Sequence, residues 1–215
     1  MCHSDLHFMQ GSIAGPTPTV PGHEPAGIVK AVGAHVSSVA VGDHVIACTS
    51  MFCGSCKRCM FGRTHLCTDR RYCMRPKGAN PRLSLDGEPL TQFADLSGFS
   101  EMMLLHERAV VKIDDDTPLD RAALAGCAVT TGVGAALNTA KFEPGSSVAV
   151  FGCGGVGASV IQGARLAGAR QIIAIDLLPS KLEVGEVTRT VITFNQPAQD
   201  RRPAPMHEAP TRGPD

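Results

Sequence analysis

One stretch of this chain, SSVAVFGCGGVGASVIQGARLAGARQIIAID at residues 146–176, restricts its fold more than any other. An apolar run at 147–151 meets a glycine-rich turn, a helix-compatible segment follows, and a second apolar run at 171–176 ends on a carboxylate. Strands joined through a helix run in the same sense and lie in a parallel sheet, which buries both faces. The reading is therefore a βαβ unit within an α/β fold class.

The turn carries G-x-G-x-x-G at Gly152, Gly154 and Gly157. Placed between strand and helix, this spacing is a dinucleotide-binding fingerprint. Gly152 permits the tight turn, Gly154 lets backbone approach a pyrophosphate, and Gly157 lets helix pack on strand. Helix N-terminal amides, including those of Gly155 and Val156, would hold the phosphates. Asp176, 19 residues beyond Gly157, suits a ribose 2′-hydroxyl and would repel a 2′-phosphate, so the expected cofactor is NAD. Lys181 is a further candidate for the same ribose, against the plainer reading of an exposed helix lysine. Cys153 fills a variable slot and reads as packing.

Before residue 113 the texture differs. Short apolar runs such as GIVKAVG (27–33), DHVIACT (43–49) and RAVVKI (108–113) are broken by Gly, Pro and Asp and read as strands. VSSVAVGDHV has the alternation and turn of a hairpin, so a small barrel or sandwich is expected. Residues 53–100 read as a long irregular segment that needs a staple. After Pro118, small helix-compatible residues predict one or two helices. Only two strands of the parallel sheet are legible. From Val184 onward the sequence is Pro- and Arg-rich without periodicity, and residues 184–215 are expected to be disordered.

Charge excludes some function classes. Twenty basic and twenty acidic residues cancel, which argues against nucleic-acid or membrane-surface partners. No apolar run approaches the ~20 residues of a membrane span, and the start lacks a secretory h-region, so the cytosol is expected. In that reducing compartment the nine cysteines read as metal ligands or core residues rather than disulfides.

Four of them, Cys53, Cys56, Cys59 and Cys67, stand in CGSCKRCMFGRTHLC at spacings of three, three and eight. Four thiolates this close can enclose one Zn²⁺ tetrahedrally, in a closed site with a structural role. An iron–sulfur cluster is the rival, since C-x₂-C-x₂-C opens the bacterial ferredoxin run. That run continues as C-x₃-C-P, which is absent here. Disulfides or unliganded thiols are a further alternative, and Cys48 and Cys73 read as inert thiols.

The chain opens MCHSDLH, and GHE follows at 22–24. A cysteine near a histidine is weak evidence alone, and His23 could be a satisfied core residue. Isolated Cys127, in the helical stretch, supplies context: two thiolates and an imidazole leave a fourth zinc position open. Asp5 could accept the other ring N–H of His23.

In order and separation, CHSDLH, GHE, the four-cysteine lobe, Cys127, GCGGVG and the aspartate of IIAID resemble the zinc-dependent medium-chain alcohol dehydrogenases, over residues 2–183. The resemblance implies an N-terminally incomplete GroES-like β-barrel catalytic domain at 1–125 with a zinc lobe at 53–67. A partial Rossmann domain at 126–183 and an unrelated tail at 184–215 would follow. It implies that Cys2, His23 and Cys127 ligate a catalytic zinc, that Glu24 is an acidic neighbour, and that Ser4 and His7 relay a proton. His3 would sit near the cofactor pyrophosphate.

The implied activity is hydride transfer between a primary or secondary alcohol and NAD, with a small alcohol or aldehyde as partner and a homo-oligomer as assembly. The alternative is a zinc-binding fragment without catalytic competence. A zinc-free quinone reductase is disfavoured because both ligand sets are present. The family's leading barrel strands and second nucleotide-binding half are not legible, so the chain is expected to be truncated at both ends.

Overall fold

The computed structural model describes residues 1–71, 73–75, 78–183 and 190–193. Helix α1 (His3–Met9) opens the chain, with Cys2 as its N-cap. Asp5, at the third helical position, accepts the Cys2 backbone N–H at 3.1 Å, which fixes the first turn. The opening residues are thus tied down rather than frayed.

Two three-stranded sheets follow. β1 (Thr19–Val20) runs parallel to β5 (Glu88–Gln92), which pairs antiparallel with β4 (Leu83–Leu85). β2 (Ala26–Ile28), β3 (His44–Ala47) and β6 (Val110–Lys112) form an antiparallel sheet in that order. The expected strands at 27–33, 43–49 and 108–113 are present but shorter. The hairpin expected within 36–45 is corrected: β3 pairs with 26–28, in register Gly27 to Val45, and 36–41 is loop. Alternation was present there, but Val29 takes up the exchange with Asp43 and Gly42, at 3.0 and 2.9 Å.

The irregular segment 53–100 contains more structure than expected. Helix α2 (Lys57–Met60) lies within the cysteine run. Asp86 and Gly87, with φ of 52° and 87°, turn β4 into β5. Both central residues at positive φ define the tight hairpin turn that Asp-Gly favours. Leu96, fully buried, packs with Ala47, Met51, Cys73 and Ala109 beneath the antiparallel sheet.

Past residue 113, α3 (Leu119–Ala122) leads through a single 3₁₀ turn to Cys127 and α4 (Ala128–Gly134). β7 (Ser147–Phe151), α5 (Gly155–Leu166), β8 (Gln171–Asp176) and α6 (Pro179–Glu183) give the anticipated βαβ unit. β7 and β8 pair in parallel, with Val148 opposite Ile172. Val150, Ile161, Ala164, Ile172 and Ala174 form the core between sheet and helix.

The reading of 184–215 as structureless is corrected at one place: β9 (Thr190–Thr193) adds a third parallel strand beside β8. Its β-branched residues suit a strand, but the surrounding composition masked them. The rest of that expectation lies outside the described residues.

Glycines set how closely the helices approach. A Cβ on Gly132 would lie 2.4 Å from Ser159 Cβ, and one on Gly163 would lie 2.8 Å from Ala136 Cβ. Small residues therefore bring α4 and α5 into near contact. Gly157 is tighter still, since its Cβ would fall 1.8 Å from the Gly152 carbonyl oxygen. A Cβ on Gly154 would meet nothing within 4 Å beyond its own chain neighbours. We expect Gly157→Ala to lower stability by about 1–3 kcal/mol in urea titration, despite alanine's better helix propensity. Gly154→Ala should stay within about 0.5 kcal/mol of the parent.

Candidate metal centres and nucleotide loop

The four lobe cysteines converge. Cys53, Cys56, Cys59 and Cys67 place their sulfurs within 4.8 Å of one another. Sγ separations are 3.9 Å for Cys53–Cys59, 3.5 Å for Cys56–Cys59 and 3.9 Å for Cys56–Cys67. A tetrahedral ion with Zn–S of ~2.3 Å has S···S edges of about 3.8 Å. The set matches that tetrahedron and is far longer than the ~2.05 Å of a disulfide. An iron–sulfur cluster inserts an inorganic core between its thiolates, so these spacings fit a single ion better.

Backbone dipoles prepare these sulfurs for a cation. The Cys56 N–H donates to Cys53 Sγ at 3.2 Å, and the Cys53 N–H to Cys67 Sγ at 3.3 Å. The N–H of Cys59 pulls the Cys56 thiol down to about 5. Burial instead pushes the Cys59 thiol up to about 12. With no cation between them, the clustered sulfurs cannot all hold negative charge, whereas a divalent ion removes that conflict.

Arg108 fastens the lobe to the antiparallel sheet. Its guanidinium donates to the carbonyls of Phe52 and Cys53 and lies 5.6 Å from the Phe52 ring centre. Gly54, at φ 77°, leaves room for it. Sequence reasoning missed Arg108, because nothing local marks an arginine that acts 55 residues away.

Cys2, His23 and Cys127 form the second cluster, also with ligand atoms within 4.8 Å. Three unrelated segments deliver them. Cys2 caps α1, His23 follows the left-handed Gly22 at φ 99°, and Cys127 ends the 3₁₀ turn before α4. Gly126 is indispensable to that approach, since its Cβ would meet the Ala47 carbonyl oxygen at 2.3 Å. Burial pushes the Cys127 thiol up to about 11, and the neighbouring Cys2 adds to the shift.

Behind this cluster lies Asp5, a fully buried carboxylate. Its Oδ1 accepts from the Gly22 N–H and from His23 Nδ1, both at 3.0 Å, and its Oδ2 accepts the Cys2 N–H. With Nδ1 so engaged, Nε2 of His23 carries the free lone pair. Phe93 packs edge-on to His23 with centroids 5.8 Å apart and is itself backed by Phe8. No sequence signal pointed to Phe93.

The remaining predicted site residues are placed as follows. Glu24 is nearly buried, with Oε2 3.7 Å from the Met1 amino group. Ser4 Oγ lies 3.8 Å from Cys2 Sγ. Ser4 and His7 are three residues apart on α1, hence on one face. Exposed His3 meets His7 edge-on at 5.9 Å.

At the glycine loop, Gly152 has φ 87°, and nothing lies within 4 Å of a Cβ placed there. Gly155 and the exposed Val156 open α5, so their amides are among its unpaired N-terminal donors. Asp176 accepts the N–H of Cys153 at 2.7 Å and of Leu178 at 2.9 Å, and these bonds hold its carboxyl below the usual range. It is thus a fixed anion beside the loop. Lys181 is exposed on α6 and adds to that lowering through its charge. Cys153 is buried against the Ile175 carbonyl, in a packing role.

Residues 1–115 match the alcohol dehydrogenase GroES-like domain. The chain belongs to that family. An S-(hydroxymethyl)glutathione dehydrogenase of Saccharomyces cerevisiae is 49% identical over 182 residues, covering 82% of this chain and 47% of the relative. The crystal structure of an alcohol dehydrogenase zinc-binding domain protein from Burkholderia ambifaria superposes with TM-score 0.79 at 35% identity, covering 90% of this chain and 54% of that one. An acetophenone reductase from Geotrichum candidum in complex with NAD gives TM-score 0.68 at 28% identity, covering 89% and 52%. The chain thus spans about half the length of these relatives. Among the described residues, no single helix is long and apolar enough to cross a membrane.

Co²⁺ titration of the metal-free chain tests both clusters. We expect two binding events with thiolate-to-metal charge-transfer absorption. Cys56→Ser should remove or strongly weaken one event, and Cys127→Ser the other. A single event abolished by Cys56→Ser and untouched by Cys127→Ser would show that only the lobe binds.

Proposed function

We propose that this chain carries the metal and nucleotide machinery of a zinc- and NAD-dependent alcohol dehydrogenase, with the four-cysteine lobe as its structural zinc site. The observation that carries the reading is the meeting of Cys2, His23 and Cys127 around one point, with Asp5 fixing the imidazole. Two thiolates and one imidazole leave a fourth position open, which distinguishes this cluster from the closed lobe. Bound at the open cluster, zinc would supply Lewis acidity toward an alcohol or carbonyl oxygen, and NAD would supply the hydride acceptor.

The chain's own residues do the rest. Ser4, beside Cys2, would take the substrate hydroxyl proton and pass it along α1 to exposed His7 and solvent. Nearly buried Glu24 contributes negative charge close to the ligand set. The amides of Gly155, Val156 and Gly157, with the open space at Gly152 and Gly154, suit a pyrophosphate near His3. Asp176, aided by Lys181, would hold the ribose hydroxyls.

The substrate class in this proposal is a small alcohol or aldehyde, and the named yeast relative favours a hydroxymethyl-thiol adduct among them. A homo-oligomer and a cytosolic location belong to the same proposal. So do the domain limits at 1–125 and 126–183.

A second reading, metal binding without turnover, is favoured by one observation. The described parallel sheet has three strands, where a complete dinucleotide fold has two halves and about six. Metal analysis joined to NADH formation from ethanol or benzyl alcohol separates the two. Two zinc ions per chain with turnover supports the dehydrogenase. Two without turnover supports the second reading, and one without turnover removes the catalytic site.

Asp5→Asn gives an independent check on the imidazole. Retaining one acceptor oxygen but losing the charge should weaken zinc at the Cys2–His23–Cys127 cluster about 10–100-fold by chelator competition, with the lobe unaffected. Equal weakening of both clusters would mean that Asp5 acts only through global stability.

A further inference from the structure

The zinc lobe carries a second feature, distinct from its sulfurs. A cavity of about 420 Å³ opens on its outer side, lined by Lys57, Arg58, Phe61 and Arg63. All four residues are exposed, Phe61 at 72%. Residues 53–67 contain no Asp or Glu, although the whole chain balances twenty acids against twenty bases. Among the described residues, none of these three cations has a carboxylate within 4.0 Å, and the nearby Asp69 is paired with Arg71. Nor do they serve the cysteines, whose hydrogen-bond donors are backbone amides, Ser55 and one another.

Three unneutralised cations around one concavity repel each other and raise the local potential, a cost that a bound anion would remove. Guanidinium groups present paired donors that match phosphate oxygens, and lysine adds a point charge. An accessible phenyl face in the same cavity suits a flat ring, which stacks on aromatic surfaces. The volume lies within the ~300–1,000 Å³ usual for small-molecule sites. We propose that this cavity is a binding site for a nucleoside polyphosphate, with phosphates on Arg58, Arg63 and Lys57 and the base on Phe61. A nucleic-acid strand is disfavoured, because its repeated phosphates need an extended basic stripe and this chain has no net positive charge.

The site lies on a different element from the glycine loop, so the inference stands or falls apart from the dehydrogenase reading. The test follows backbone amide NMR shifts of the zinc-loaded full chain on titration with ADP and, separately, inorganic pyrophosphate. Saturable shifts are expected at residues 57–63 for both. In Arg58→Gln/Arg63→Gln these shifts should require at least about tenfold more ligand, while any shifts at 152–157 persist. Phe61→Ala should weaken ADP by about fivefold or more and leave pyrophosphate unchanged. Zinc content equal to the parent shows that the variants keep the lobe folded. Absence of saturable shifts at 57–63, or shifts indifferent to the double substitution, overturns the proposal. Tighter, more salt-sensitive binding of a single-stranded oligonucleotide than of ADP also overturns it.

Discussion

The buried carboxylate of Asp5 holds the structure's chemistry together. A desolvated charge is strongly unfavourable unless its oxygens are bonded, and here three donors meet it: the Cys2 and Gly22 amides and the His23 ring. Each donor belongs to a segment that must be placed for the others to work. Cys2 begins α1, while Gly22 and His23 lie in the loop after β1. Gly98 and Phe99 brace that loop from behind through bonds to the carbonyls of Gly22 and Pro21, at 2.7 and 3.1 Å. One side chain thus couples helix, loop and sheet into a single geometry and sets which nitrogen of His23 is free.

The two sulfur clusters differ in kind. The lobe is local, with all four ligands within fifteen residues, and its backbone amides already point at sulfur. The other cluster is assembled from residues 2, 23 and 127, and Cys127 reaches it only because Gly126 lets the chain pass over Ala47. A closed, local site suits stapling, and an open, long-range site suits chemistry.

Local spacing made much of this legible. The C-x₂-C-x₂-C run and the glycine fingerprint each sit within one or two elements, and the bounds read for β7 and β8 match the structure. Asp5 was legible as a partner of His23 once the ligand set was suspected. What stayed hidden depends on distant contacts. Arg108 reaches the lobe from 55 residues away, and Phe93 packs edge-on to His23 from beyond β5. The misplaced hairpin at 36–45 shows the limit of alternation, since the pattern does not say which segment a strand will choose. β9 shows the reverse: four β-formers in a Pro-rich setting become a strand because β8 offers an edge.

The central claim, that Cys2, His23 and Cys127 enclose one metal beside the closed lobe, has a direct test in anomalous diffraction at the zinc absorption edge from crystals grown with zinc. The account predicts two peaks per chain, one inside the sulfur tetrahedron and one bounded by Cys2 Sγ, His23 Nε2 and Cys127 Sγ. A single peak in the lobe, with those three side chains in place around empty density, would contradict it.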